Sequence, residues 1–244
     1  MKIITKIFIL VSILSLSACV TSGSKKIQAI KKDNKVLIVS SMGNDYELLH
    51  IGFTIFSNDS NTLNVEDWNI DSIVESKVAN IKVIEKINFV NVNLSSLKNN
   101  MTKLSKDYWT DGVAFKGFDD EVFPFARNEN YDLILFISGY SSEDPVFFTG
   151  MNLDGYGLYK RKIHGKPYAK YYAMVSTSLY DVETRKKIAG SSSSKSAFTE
   201  KYNMTKGVET IDHETISKDK DIIISLIMNS IYSQFEVLGM LKTN

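Results

Sequence analysis

The sequence is poor in residues that cross-link a chain or bind metals. Its 244 residues include one cysteine, three histidines and three prolines. A single cysteine excludes a disulfide within the chain. His50, His164 and His213 show no paired spacing of the kind that metal sites use, and no second histidine follows the His213-Glu214 pair by four residues. We therefore predict no disulfide, no metal and no cofactor.

Motifs of the common enzyme classes are also missing. The chain has no G-x-S-x-G elbow, no P-loop and no G-x-G-x-x-G fingerprint. S-x-x-K matches occur, among them Ser192 to Lys195 and Ser217 to Lys220, but the companion S-D-N and K-T-G motifs are absent. We therefore predict a protein that is not an enzyme. The alternative is an envelope hydrolase or small-ligand binder whose site is assembled from residues distant in sequence.

The chain lacks an excess of either charge. It has 29 basic and 28 acidic residues, a formal net charge of +1. Proteins that bind nucleic acid through a global positive field carry a clear basic excess. We therefore predict no nucleic-acid partner.

The amino end combines basic residues with a short apolar run. Lys2 and Lys6 precede twelve mostly apolar residues, 7–18. A helix that crosses a bilayer needs about 20 such residues, so this run is too short. A basic start, a short apolar segment and small residues before a cleavage site are typical of a secretory signal peptide.

The end of this segment, Leu16-Ser17-Ala18-Cys19, resembles the lipobox of bacterial lipoproteins. The resemblance implies a signal peptide over residues 1–18 and a diacylglycerol, with further acylation, on Cys19. It also implies an outer-membrane anchor that faces the periplasm, because Val20 stands where an aspartate favours the inner membrane. The alternative is an ordinary signal peptide that ends near a free cysteine.

Residues 19–34 follow as the predicted lipidated cysteine and a flexible basic tether. Four lysines in this tether can contact anionic lipid, or they are simply solvated. The rest of the chain, residues 35–244, is predicted to form one domain.

Apolar periodicity predicts the elements of this domain. Strands are expected over residues 35–41, 48–56, 87–94 and 131–140, a strand–turn–strand unit over 171–194, and short helices over 97–108 and 119–130. The second strand is expected to place Leu49 and Ile51 on its apolar face, and a turn is expected over 57–62. A helix from Ile70 is expected with a Ser72–Glu75 capping box, although Asn69 and Asp71 compete for the cap. An amphipathic helix is expected to close the chain and end at Gly239.

These elements predict the α/β (α+β) class, with a single mixed sheet, packed helices, an antiparallel hairpin and a C-terminal amphipathic helix. The order of elements resembles the α/β domains of the curli-secretion and penicillin-binding-protein-activator lipoproteins and of the amino-terminal domain of the Tol-Pal translocation protein. The shared pattern includes "YDLILFISG", a strand that ends in an Asp-x-x-Thr turn, and a last helix. Here Arg185 stands where a glycine usually follows that turn.

The segment 141–170 alternates aromatic with basic residues, and Asp154-Gly155 suggests a hairpin tip within it. Aromatic and arginine side chains are frequent anchors of protein interfaces. Possible partner contacts are Phe147, Phe148, Tyr156, Tyr159, Arg161 and Tyr168. The alternative is a hairpin with ordinary strand aromatics and solvated lysines. We predict a lipid-anchored, non-enzymatic binding or assembly module whose partner is an envelope protein or a second copy of the chain.

Overall fold

The computed structural model describes residues 33–52, 58–84, 87–90, 118–163, 166–202 and 208–241. The predicted signal peptide, Cys19, most of the tether, the predicted helix over 97–108 and His164 lie outside these ranges. Within these ranges, no helix has both the length and the apolar character needed to cross a membrane.

The described residues form a large mixed sheet with helices on it. The strands are β1 Asn34–Ser41, β2 Asp45–Ile51, β3 Asp59–Asn64, β4 Ile87–Val90, β5 Leu133–Gly139, β6 Ser141–Glu143, β7 Asn152–Asp154, β8 Tyr156–Ile163, β9 Lys166–Asp181 and β10 Lys187–Thr199. The α-helices are α1 Ile70–Ala79, α2 Phe123–Asn128, α3 His213–Ile216 and α4 Lys220–Leu238. A π-helical turn at Phe118–Val122 precedes α2, and a 3₁₀ turn at Ser217–Asp219 precedes α4. The mixed α/β class is therefore confirmed.

The sheet is organised around β9. On one edge β9 pairs antiparallel with β10 through residues 169–180. On the other edge it pairs antiparallel with β8 along its first half and with β5 along its second half. Strands β1 and β2 lie parallel to β5 and β8, and β4 and β3 complete the two ends. Strands β5 and β8 therefore lie end to end along one edge of β9.

The segment between β5 and β8 leaves the sheet and returns to it. Its strands β6 and β7 pair with each other as a separate ribbon. Gly155 brings the chain back with a φ of 51°, a conformation that glycine adopts without a steric penalty. The Gly155 N–H donates to the Tyr140 carbonyl, and the Gly155 carbonyl accepts from the Met174 N–H. The predicted hairpin tip at Asp154-Gly155 is therefore wrong, because this pair joins a small ribbon to a core strand.

Helices α1 and α4 cover one face of the sheet. Alternate strand residues point to this face, so Tyr46, Leu48, Leu135, Val175 and Leu179 share one core with Val74, Ile227, Ile231 and Phe235. On the opposite face, α2 covers Leu37, Ile134 and Tyr180, while the segment 141–154 covers Tyr159, Tyr172 and Met174. Both faces of β9 are thus covered, and nearly all of its residues from Tyr171 to Tyr180 are buried.

Several sequence predictions are confirmed by these elements. The strands predicted over 35–41 and 131–140, the strand–turn–strand unit over 171–194 and the helix from Ile70 are all present. Helix α4 ends with Gly239 in the left-handed conformation, at a φ of 69°. In the Asp-x-x-Thr turn, Asp181 accepts hydrogen bonds from the Thr184 backbone and hydroxyl. Arg185 adopts a φ of 57°, so it takes the conformation for which a glycine is usual.

Other predictions are wrong. Most of the predicted turn over 57–62 belongs to β3, whose polar residues alternate between half-buried and exposed as befits an edge strand. In the neighbouring strand, Leu49 and Ile51 share one apolar face as predicted and pack beneath the segment 141–154, but Tyr46 and Leu48 form the face that enters the main core. Strand β2 starts earlier than the sequence pattern indicates, and the Tyr46 side chain in this earlier part points to the helices.

The predicted capping box is also wrong. Glu75 is buried and accepts a hydrogen bond from the Ser40 N–H at 2.9 Å. Helix α1 begins after Asn69, whose side chain makes no capping hydrogen bond. Glu75 therefore ties the helix to β1 instead of closing its first turn.

Candidate functional site

A buried aspartate organises the loop between β6 and β7. Asp144 is 2% exposed, and its carboxylate accepts hydrogen bonds from the N–H groups of Val146, Phe147 and Thr149 at 2.6, 2.9 and 3.1 Å. The hydroxyls of Thr149 and Tyr159 donate to the same carboxylate at 2.6 and 3.0 Å. These bonds hold the loop in one conformation.

The electrostatics of Asp144 agree with this geometry. Burial alone would raise the pKa of Asp144, but the hydrogen bonds from Thr149 and from the N–H groups of Phe147 and Val146 outweigh it and lower the pKa. The carboxylate is therefore ionised at neutral pH, the state in which it accepts all of these bonds.

The loop places one phenylalanine inside and the next outside. The Phe147 ring packs edge-on against Tyr159 with 5.0 Å between centroids. Phe148 is 84% exposed and has a φ of 56°. The left-handed conformation is unusual for a bulky residue, so this exposed ring is held at a conformational cost.

Basic groups surround the loop. The Lys170 ammonium lies 4.9 Å from the centroid of Phe147 and 4.4 Å from that of Phe198. It also donates to the Val146 carbonyl at 3.2 Å. The Arg161 guanidinium donates to the Phe147 carbonyl at 2.7 Å. The contact of Lys170 with the ring faces is a cation–π interaction, which favours a fixed position of both the rings and the ammonium group. The hydrogen bonds of Lys170 and Arg161 to the loop backbone hold the positive charges beside the loop.

We call this region the aromatic–basic surface. It consists of Phe147, Phe148, Arg161, Tyr168, Lys170 and Phe198. The Tyr168 ring lies 6.4 Å from that of Phe198, which is 67% exposed. The surface thus combines apolar rings with positive charge on the sheet face opposite α1 and α4.

Four of the six predicted contact residues, Phe147, Phe148, Arg161 and Tyr168, lie together on this surface. Tyr156 and Tyr159 are instead fully buried. The Tyr156 hydroxyl donates to the Gly43 carbonyl, and its ring packs against Tyr46. Their side chains are core residues, because β8 is an inner strand of the sheet and not an exposed hairpin.

Sequence reasoning missed Phe198 as a member of this surface. Phe198 pairs in register with Lys170 across β9 and β10. An isolated phenylalanine in an otherwise serine-rich strand was the available signal. Only the strand pairing shows that it joins the loop around Phe148.

A second polar cluster lies inside the protein. Asp219 is 1% exposed, and its carboxylate accepts hydrogen bonds from the hydroxyls of Tyr46, Tyr171 and Tyr202. The Lys201 ammonium contacts the same carboxylate at 2.7 Å. Burial, together with the nearby carboxylate, raises the pKa of Tyr171 to about 12. The Tyr171 hydroxyl is therefore a neutral donor at physiological pH, and the cluster anchors the start of α4 to the sheet.

The S-x-x-K matches that begin at Ser192 and Ser217 do not form nucleophile–base pairs. Ser192 and Lys195 lie on β10 three residues apart, so their side chains point to opposite faces of the sheet. The Ser217 hydroxyl donates to the Glu214 carbonyl within the turn before α4. Neither serine has the arrangement that catalysis by this motif requires.

The described histidines have ordinary surroundings. His213 contacts the Asp67 carboxylate at 2.9 Å. His50 lies on β2, in register with Asp59 on one side and Lys160 on the other. Across the ranges that the structure describes, no three His, Cys, Asp or Glu side chains are grouped so that they could hold a metal ion.

Comparison with known proteins assigns no family. No family model matches the chain, and no curated protein matches it in sequence. Similar solved structures include the LpoB C-terminal domain from Salmonella enterica, at 14% identity and a TM-score of 0.31, covering 72% of this chain and 93% of that one. Lipoprotein GNA1162 from Neisseria meningitidis has 10% identity and a TM-score of 0.32, covering 81% and 99%. The hypothetical protein CT253 from Chlamydia trachomatis has 8% identity and a TM-score of 0.37, covering 86% and 99%. At these TM-scores and identities the similarities carry neither a family nor a function over to this chain.

Proposed function

We propose that this chain is a lipid-anchored envelope lipoprotein that binds another envelope protein through the aromatic–basic surface and catalyses no reaction. Cys19 carries the anchor, in the outer membrane and facing the periplasm, and residues 20–34 form the tether. The lipobox-like Leu16-Ser17-Ala18-Cys19 sequence supports the anchor, and the geometry around Phe148 supports the binding role.

The conformation of Phe148 carries this proposal. An L-residue in the left-handed region costs about 1–2 kcal/mol, and an 84% exposed ring gains little from burial. The loop nevertheless holds this ring outward through the bonds to Asp144. A bulky apolar ring held outward at this conformational cost favours a contact outside the domain.

The character of the surface indicates the kind of partner. Arg161 and Lys170 supply positive charge, and Lys162 and Lys166 are exposed at the nearby end of the sheet. Aromatic anchors bordered by cations suit a protein that offers an apolar pocket with acidic residues around it.

The surface is also remote from the tether. Strand β1 begins beside the last residues of β9, because Val36 pairs with Leu133 and Leu133 with Asp181. Tyr168 lies near the other end of β9, about 40 Å away at about 3.3 Å per residue. The tether therefore joins the domain at the end remote from this surface and leaves the surface free to meet a partner.

The test is capture of the full-length chain from its own envelope in mild detergent, compared with Phe148→Gly. We expect a stoichiometric partner that Phe148→Gly loses. Tyr232→Ser, which removes another exposed aromatic residue from α4, is expected to keep that partner. Equal capture by the parent chain and by Phe148→Gly would refute the role of the surface.

Two further measurements separate binding from folding and from anchoring. Phe148→Gly is expected to keep its stability within about 1 kcal/mol, because relief of the left-handed conformation offsets the greater freedom of glycine in the unfolded chain. Cys19→Ala is expected to leave the membrane fraction. If it fractionates like the parent chain, the anchor proposal is wrong.

A further inference from the structure

Strand β10 has an edge that no other described strand covers. It is 13 residues long, and among the described residues it pairs with β9 alone. Edge strands usually carry prolines, several charges or bulges that prevent pairing with another chain. Between residues 190 and 197, β10 carries one charge, Lys195, and no proline, and its only register shift lies earlier, between Lys187 and Ala189.

We propose that β10 pairs antiparallel with β10 of a second copy, so that one continuous sheet runs through a two-fold dimer. The inference is independent of the partner proposed above. A two-fold axis at Ser193 sets the register, since an axis at Lys195 would place two ammonium groups directly opposite each other.

The register about Ser193 is self-complementary. It places Ala189 opposite Ala197 and Lys195 opposite Ser191, so no like charges face each other. The register does not extend to residues before Ala189, because a bulge interrupts β10 between Lys187 and Ala189.

Helix α4 fits the same arrangement. It packs over β9 and β10, and the Ser230 hydroxyl donates to the Ser193 carbonyl at 2.7 Å. With strands about 4.8 Å apart, a helix midway between β9 and β10 would lie about 10 Å from its two-fold copy. This is the usual distance between packed helices.

The proposed helix contact accounts for an exposed apolar residue. Val237 lies seven residues after Ser230, hence on the same side of α4, and is 51% exposed. In the dimer it would face the second α4. Phe148 lies on the opposite face of the sheet and stays accessible, so a dimer would present two aromatic–basic surfaces.

The experiment places single cysteines at positions 191 to 195, one at a time, in the full-length chain in its envelope. The parent chain, whose only cysteine is Cys19, gives the background after oxidation and non-reducing electrophoresis. We expect a covalent dimer that is strongest for Ser193→Cys. Thr62→Cys, an exposed position on the other edge strand β3, is the matched control and is expected to stay at background. Background yields at all five positions would overturn the proposal.

A second variant tests the helix contact. Adding Val237→Glu to Ser193→Cys is expected to reduce the covalent dimer several-fold, because it places a carboxylate in the apolar contact between the two α4 helices. Tyr232→Glu, on another side of α4, is expected to leave the yield unchanged. An unchanged yield with Val237→Glu would overturn the proposed packing of α4 against its copy. Partner capture through Phe148 is measured separately, so failure of one proposal does not decide the other.

Discussion

Replacing Asp219 by asparagine should destabilise the domain more than replacing any surface acid. The carboxylate accepts hydrogen bonds from Tyr46, Tyr171 and Tyr202 and contacts Lys201. Asparagine keeps the shape but removes the charge. Its amide nitrogen also presents a donor where the carboxylate offered an acceptor to tyrosine hydroxyls.

The magnitude follows from the burial of these groups. A hydrogen bond to a charged group contributes about 1.5–3 kcal/mol, and breaking a buried ion pair by removing one partner costs about 3–5 kcal/mol. The Lys201 side chain is 33% exposed, so water compensates part of the loss. We expect Asp219→Asn to lower the free energy of unfolding by about 3 kcal/mol. For a domain of this size that corresponds to a fall in Tm of about 6–12 °C.

Thermal and urea unfolding followed by near-ultraviolet circular dichroism would measure this loss. The matched control is Asp221→Asn, an exposed acid in the first turn of α4, which is expected to cost less than about 1 kcal/mol. Equal losses for the two variants would refute the reasoning. A double-mutant cycle with Lys201→Met should also show a coupling of about 1 kcal/mol or more.

Two further predictions concern β2 and β8. Burial, with repulsion from Asp154, raises the pKa of Glu47. Its protonated form therefore stabilises the fold at low pH, and this stability is lost as pH rises through the raised pKa. Glu47→Gln should raise the free energy of unfolding by up to about 1 kcal/mol at pH 7 and should not change it near pH 4; the gain is small because the half-buried group keeps some contact with water. Unfolding measured across this pH range tests this, with the exposed Glu66→Gln as the control. A constant difference across the range, or an equal gain for Glu66→Gln, would contradict the prediction. A Cβ on Gly157 would collide with the Glu47 carbonyl oxygen, so Gly157→Ala should push the two strands apart. The variant is expected to lower the free energy of unfolding in urea by about 3 kcal/mol. Wild-type stability would show that the strands are further apart.

Much of the fold was predictable from local pattern. The strands at 35–41 and 131–140 are short, uniformly apolar and rich in β-branched residues, which favours buried strands in any context. The closing helix shows the helical period and ends at a glycine. Strand β3 was not predictable, because its polar sequence resembles a turn and it is a strand only through its pairing with β2.

The candidate site was predictable only in part. Alternating aromatic and basic residues in 141–170 indicated the region around Phe148. Which rings are exposed depends on where the chain leaves and rejoins the sheet. Because Gly155 returns it beside β9, Tyr156 and Tyr159 enter the core while the loop at Asp144 stays outside.

By itself, the sequence determined the lipobox-like amino end, the absence of recognised catalytic motifs, the α/β class and the limits of the main strands and helices, since each depends on residues that are close in the chain. Only the tertiary structure decided that Asp219 is surrounded by tyrosines from distant segments, that Phe198 lies beside the Phe148 loop and that β10 has an open edge among the described strands. These contacts join residues up to 173 positions apart, as in the bond between Tyr46 and Asp219. Local periodicity carries no information about such distances, because strand order and register arise only when the whole sheet assembles.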